Sequence, residues 1–253
     1  MFFAAPGKYE PCQMYSIGHL ILFLITVVGI IIALHFTKHC RDNSVRKIIK
    51  ISILMLWVLE TIKIAFNFAV GNSKNPNNYI PLYYCSIILY AGIFSAFGKG
   101  NLKRAGDVFI ATGAIVGGGF FLACPNTSLT MYPAFHYISI QSFIFHGTMV
   151  YLGILVNITN YVKTNLIDIV YYASMLTIML VISYIVNKVL DTNFMFISKD
   201  FPNTPVSVIY RSTGKAFTVI MSVLQIVIPF SLVYGIRNII IFMSTAKKSV
   251  ISK

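Results

Sequence analysis

The chain has 253 residues, of which 57% are hydrophobic and only 11% charged, with a mean hydropathy of +0.77 and a formal net charge of +13. So few charged groups cannot clothe a soluble globule of this length, and lipid is the expected solvent. The sequence has no concentrated basic stripe with interleaved aromatic readers, as a nucleic-acid-binding module would need, and no nucleic-acid partner is expected.

Apolar runs near the length of a bilayer crossing recur along the chain, which predicts an all-α polytopic transmembrane bundle and not a barrel of alternating strands. Seven are expected, at about Ser16–Phe36, Ile48–Val70, Ile80–Phe97, Ala105–Ala123, Tyr137–Ile158, Ile167–Leu190 and Ala216–Phe242. The first is too long for a signal h-region, and Met1 to Gln13 lacks a basic n-region, so a permanent helix is expected and no cleaved leader. The loops are short, leaving one membrane domain over residues 1–253.

Charge predicts the orientation. Lys38, Arg41, Arg46, Lys47, Lys50, Lys99, Lys103, Arg104, Lys163, Arg237, Lys247, Lys248 and Lys253 fall on one side. Only Lys8, Lys74, Lys188, Lys199, Arg211 and Lys215 fall on the other. The positive-inside rule then places the N-terminus outside and the C-terminus in the cytoplasm, as an odd number of spans requires. The inner cations would meet anionic headgroups. The richness in Ile, Lys, Asn and Tyr suggests a low-G+C bacterium and its plasma membrane.

Two outer loops stand out. Cys124 to His136 carries no formal charge and is expected to fold down over the bundle. Asp191 to Lys215 contains Asn193-Phe-Met-Phe-Ile, read as a re-entrant or interfacial piece because aromatic residues favour the headgroup zone.

Ionisable side chains at mid-membrane cost roughly 2.5–3.5 kcal/mol unless they face a polar cavity, so function is sought there. Span two offers Glu60, Lys63 and Asn67, span three Cys85, span five Gln141 and His146, and span one His19. At about 1.5 Å rise per residue, Cys85 lies roughly 8 Å and Glu60 and His146 roughly 15 Å below the outer helix ends. Each also has a structural reading. Cys85 is equally an inert small hydrophobe, His146 a packing hydrogen-bonder, and Glu60 and Lys63 a pair that neutralises itself one turn apart. Gly113, Gly117, Gly118 and Gly119 read as a close-packing surface. The cysteines Cys12, Cys40, Cys85 and Cys124 show no metal spacing and no disulfide framework, although Cys12 and Cys124 fall on the same side and a bridge between them is open. No nucleotide-binding motif and no nucleophile elbow is present.

The order of these pieces resembles the YwaF-like family of bacterial integral membrane proteins, related to a eukaryotic transmembrane family of cysteine-dependent phospholipid acyltransferases. The resemblance rests on Gly18-His19-Leu20, Glu60, Pro81-Leu-Tyr-Tyr-Cys85-Ser86, the glycine-rich fourth span closing on Pro125, Tyr132-Pro133 through Gln141 to His146-Gly147, and Asn193-Phe-Met-Phe before Pro205. Where the family pattern places a histidine ahead of the cysteine, this chain has Tyr83 and Tyr84. The resemblance implies acyl transfer through a thioester, with Cys85 as nucleophile and His146 as base. Glu60 or Gln141 would orient the imidazole, His19 could serve the leaving group, and Asn193 would support the substrate pocket. Membrane phospholipids and lysophospholipids are the implied partners, and no cofactor or metal is expected. The alternatives are a lipid hydrolase using the same pair, a solute or proton-coupled transporter, and a metal site from His19, His146, Glu60 and Cys85. The oligomeric state stays open.

Overall fold

A computed structural model describes residues 1–202 and 204–251, with side chains to residue 243. The tail cations Lys247, Lys248 and Lys253 of the expected inner cluster lie outside the described side chains. Among the described residues every regular element is helical. The α-helices are α1 Ile17–Thr37, α2 Asp42–Ala69, α3 Ile87–Phe97, α4 Gly100–Ala111, α5 Gly113–Ala123, α6 Tyr137–Ile158, α7 Ile169–Leu190, α8 Pro205–Thr213 and α9 Phe217–Ile251.

Five helical segments are long and apolar enough to cross a membrane: Ile17–Thr37, Gly100–Ala123, Tyr137–Ile158, Leu166–Leu190 and Pro205–Met243. The expected spans two and three take other forms. Helix α2 has 28 residues but carries Glu60 and Lys63 within its apolar stretch. The third run is helical only over Tyr84–Phe97, because Pro81 cannot donate a helical hydrogen bond and the residues before Tyr84 enter the bundle extended.

The centre of the bundle is the α4–α5 rod, 78% of whose apolar window is buried, whereas α1 is 11% buried and forms the periphery. Ile87, Ile88 and Leu89 of α3, Val108, Phe109 and Ile110 of α4, and Met149 and Leu152 of α6 fill the core. The end of the bundle where α1, α6 and α9 begin is called here the entry end. The loop after α5 folds onto it as expected, burying Ser128, Leu129 and Tyr132. His136 caps α6 there: its Nδ1 accepts from the Ile138 N–H at 3.1 Å and its Nε2 donates to the Ala4 carbonyl at 3.0 Å. Burial holds this imidazole below its ordinary pKa, which keeps the capping lone pair free of a proton.

At the opposite end cations tie the elements together. Arg46 donates to the Ala96 carbonyl at the end of α3, and Arg237 to the Thr164 carbonyl. Asp107 accepts from Ser95 at 2.6 Å and from Lys103 at 2.5 Å. Asp168 pairs with Arg104 and closes a capping box with Asn165.

Two entry-end segments carry irregular backbone into the bundle. The Leu82 carbonyl accepts from Ser183 of α7 and the Pro81 carbonyl from Tyr90. The turn Phe194–Phe196, with Met195 and Phe196 in the left-handed region at φ 55° and 52°, is held by Asn187, Gln225 and Thr218. This is the inserted piece expected from Asn193-Phe-Met-Phe-Ile. Asn187 is its hub, donating to the Phe194 carbonyl and Ser198 hydroxyl and accepting from the Phe194 N–H and Thr192 hydroxyl. Asn187→Ala would leave buried donors and acceptors unpaired at about 1–3 kcal/mol each. It should lower the unfolding midpoint in detergent, and an unchanged midpoint would show that the turn contributes nothing to stability.

Candidate functional site

The rod of α4 and α5 breaks at Thr112, whose φ of −126° and ψ of −73° leave the helical region. Asn157 of α6 takes up the Ala111 carbonyl at 2.8 Å beside this break. Beyond it lies the glycine run. A Cβ on Gly117 would lie 2.8 Å from the Tyr84 ring, and one on Gly118 would lie 2.7 Å from the His146 carbonyl oxygen. A Cβ on Gly113 would lie 2.9 Å from the hydroxyls of Tyr84 and Tyr172, whereas Gly119 faces open space. Three of the four glycines therefore serve close packing. Two of them, consecutive in α5, let the Tyr84–Ser86 turn and α6 approach the same stretch of backbone.

Cys85 is half-buried, and its thiol donates to the Gly117 carbonyl at 3.8 Å. His146 is buried. Its Nδ1 lies 2.7 Å from the Ser142 carbonyl one turn earlier, and since a carbonyl can only accept, Nδ1 carries the proton and Nε2 keeps its lone pair. Phe121 of α5 stacks on the imidazole with centroids 3.7 Å apart and planes 10° apart. The Cys85 thiol and the His146 backbone thus pack against the neighbouring Gly117 and Gly118, and thiol and imidazole each hydrogen-bond to a backbone carbonyl.

The residues expected to orient the imidazole do something else. Glu60, 2% exposed, faces Lys63, whose Nζ is 2.6 Å from Oε1, an ion pair by distance whose angle falls outside hydrogen-bond geometry. The self-neutralising pair read from their spacing is therefore present. Gln141 is buried higher on α6, where its Oε1 accepts from the Ser142 hydroxyl at 3.5 Å. It is the Ser142 carbonyl, invisible in a side-chain pattern, that orients the ring.

His19 has both nitrogens committed. Nδ1 accepts from the Tyr15 N–H at 3.1 Å, and Nε2 donates to the Leu122 carbonyl at 2.9 Å. It therefore fastens α1 to the end of α5, and an aromatic chain through Phe143 and Phe121 runs from it to His146. Asn193 sits in the inserted loop, where its Oδ1 accepts from the Ser198 and Lys199 N–H groups and its Nδ2 donates to the Lys199 carbonyl. It lines an entry-end cavity of about 390 Å3 together with Lys74, Asn77, Asp191 and Lys199. Cys12 and Cys124 are free thiols, bonded to Ser16 and Tyr15 respectively, so the open bridge is not formed. Among the described residues no three His, Cys, Asp or Glu side chains gather as metal ligands, and the four-residue set is not assembled.

Sequence reasoning missed the hydroxyl pair beneath Cys85. Pro229 has no N–H to offer the Gln225 carbonyl one turn earlier. Tyr172 supplies a hydroxyl there at 3.4 Å, and Tyr84 lies 2.5 Å from the Tyr172 hydroxyl. The two tyrosines standing where a histidine was expected are thus both engaged, Tyr84 in this chain and Tyr83 with Asn77 at 3.0 Å. A proline inside a predicted apolar helix was the available signal.

The sequence model of the TMEM164 family matches residues 14–234. No curated protein and no solved structure shows a significant match. The match takes in α1 through most of α9, with Cys85, His146 and the glycine run between them, and the apolar helices fit a multi-pass membrane protein. The chain belongs to the TMEM164 family.

Proposed function

We propose that the chain moves acyl groups between membrane phospholipids through a thioester on Cys85. What supports this reading is that the Cys85 thiol donates to the Gly117 carbonyl while the His146 backbone packs against the next glycine, Gly118, with the imidazole tautomer that leaves Nε2 able to take a proton. A buried thiol is a poor nucleophile unless a base removes its proton. In the first half-reaction the thiol proton passes to Nε2 of His146 as the sulfur attacks the ester carbonyl carbon of a donor phospholipid. The tetrahedral adduct collapses by breaking the bond to the glycerol oxygen, which takes the proton from Nε2 and leaves as a lysophospholipid. In the second half an acceptor lysophospholipid hydroxyl gives its proton to Nε2 and attacks the thioester. The sulfur leaves and recovers the proton.

A transporter would need Glu60, Lys63, His19 and His146 along one path. Here Glu60 is paired with Lys63, and both nitrogens of His19 are bonded. The same Cys/His pair with water as acceptor would be a hydrolase, separated from the transferase by products formed with and without lysolipid.

Cys85→Ala should lower acyl exchange by roughly 1,000-fold or more. The thiol makes one long hydrogen bond, so membrane abundance should not change. Wild-type exchange in that variant would reject the thioester. Phe121 is read as a positioning residue. Phe121→Leu should lower kcat by roughly three- to tenfold, as loss of an aromatic contact predicts, with KM unchanged and Phe121→Tyr restoring the rate. A change confined to KM would count against this role.

We further infer seven crossings, with α2 and Tyr84–Phe97 included and the entry end outside, in the plasma membrane of a low-G+C bacterium within a YwaF-like branch. The cations Arg46, Lys103, Arg104, Lys163 and Arg237 gathered at the opposite end support this orientation. A membrane-impermeant maleimide should label Cys12 in intact cells and Cys40 only after permeabilisation. Labelling of Cys40 from outside would reverse the assignment.

A further inference from the structure

We infer that the entry-end cavity is a phosphate site, which holds the headgroup of the lipid whose acyl chemistry takes place at Cys85. The cavity, about 390 Å3, opens between the Asn72–Asn78 turns and the loop after α7. Its charged lining is Lys74, Lys199 and Asp191. Lys199 is held in place, donating to the Asp191 carbonyl at 2.6 Å with its Nζ 2.8 Å from the Asp191 carboxylate. That carboxylate is 93% exposed, so water screens it and the lining keeps an excess of positive charge. Lys74 is exposed and has no ion-pair partner among the described residues. Two ammonium groups flank the cavity, and one of them has no counter-ion among the described residues.

The cavity is also wired to the thiol. Asn77 on its wall accepts from the Tyr83 hydroxyl at 3.0 Å and from the Asn193 N–H at 3.4 Å. The Tyr83 ring packs on Phe194 and Phe196, with centroids 5.4 Å apart in each case. Two residues later the same strand of chain reaches Cys85. A lipid with its phosphate between Lys74 and Lys199 would keep its charge at the interface, where Asn77 joins the cavity to Tyr83 and so to the turn that carries Cys85. The cations match any phosphate, so a phosphate ester of a lysolipid and inorganic phosphate are the two sources to separate.

This assignment rests on the acyl-transfer reading, but its test does not need turnover. The full chain carrying Cys85→Ala, in a neutral detergent, is titrated with fluorescent lysophosphatidylglycerol, with the monoacylglycerol of the same chain length, and with inorganic phosphate. The lysophospholipid should bind more tightly than the monoacylglycerol. Lys74→Gln should weaken it roughly fivefold, the worth of one lysine near a charged interface, without touching the monoacylglycerol. Lys74→Arg should restore the preference, and Asp191→Asn, which suits the left-handed backbone at φ 52°, should tighten lysophospholipid binding. Lys74-dependent binding of inorganic phosphate that the lysophospholipid cannot displace would assign the site to free phosphate and overturn the headgroup reading. Equal affinity for the two lipids, or none of these shifts in either charge variant, would overturn the site altogether. Loss of acyl exchange in the wild type, with Lys74-dependent lipid binding intact, would reject the thioester and leave this cavity standing.

Discussion

A bundle immersed in lipid can carry non-helical backbone to depth only if each freed carbonyl and N–H finds a partner within the protein. Here side chains from neighbouring helices meet that demand group by group. Ser183 takes the Leu82 carbonyl, Tyr90 that of Pro81, Asn187 that of Phe194, Gln225 that of Met195 and Thr218 that of Ile197. The same bargain holds at helix breaks, where Asn157 meets Ala111 beside the Thr112 kink and Tyr172 meets Gln225 above Pro229. Without these donors the Pro81 and Leu82 carbonyls would be left unpaired inside the protein.

The constraint also explains why α5 is rich in glycine where it is. An extended segment and a helix both close on the same stretch of α5 backbone, which leaves no room for Cβ atoms at Gly117 and Gly118. The thiol therefore lies against backbone, whereas the imidazole has the Phe121 ring stacked on it. Their hydrogen-bond partners are the Gly117 and Ser142 carbonyls, and neither can ionise or compete for a proton. Glu60 and Lys63, one turn apart on α2, form an ion pair of their own.

Much of this architecture was legible in the sequence. The run Tyr137–Ile158 coincides with α6, the glycine surface falls on α5, the uncharged loop after Cys124 folds onto the bundle, and Asn193-Phe-Met-Phe-Ile is inserted. These are readable because length, composition and spacing determine them directly. The failures share a different cause. Thr112 breaks a run that hydropathy sees as continuous, since Thr is apolar enough to pass unnoticed. The third run begins with the non-helical stretch Ile80–Tyr83, whose Pro81 and Leu82 carbonyls are taken up by Tyr90 and Ser183, residues downstream or distant that no local pattern links to it. At the site, residue types pointed to Glu60 or Gln141 as the group orienting His146, but its partner is a backbone carbonyl, which carries no residue signature.

His19 shows the limit most clearly. A histidine opening a membrane helix at the right depth has the chemistry of a second acid–base group, and only the positions of the Tyr15 N–H and the Leu122 carbonyl reveal that both of its nitrogens are spent. Compared with His146, it differs in one respect that matters. His19 is bonded on two sides and works as a strut, whereas His146 is bonded on one side, stacked on Phe121 and left with a lone pair. Function in a buried polar group depends on that one withheld bond: a fully satisfied group stabilises the fold, and a group satisfied on all sides but one retains a place for a proton to go.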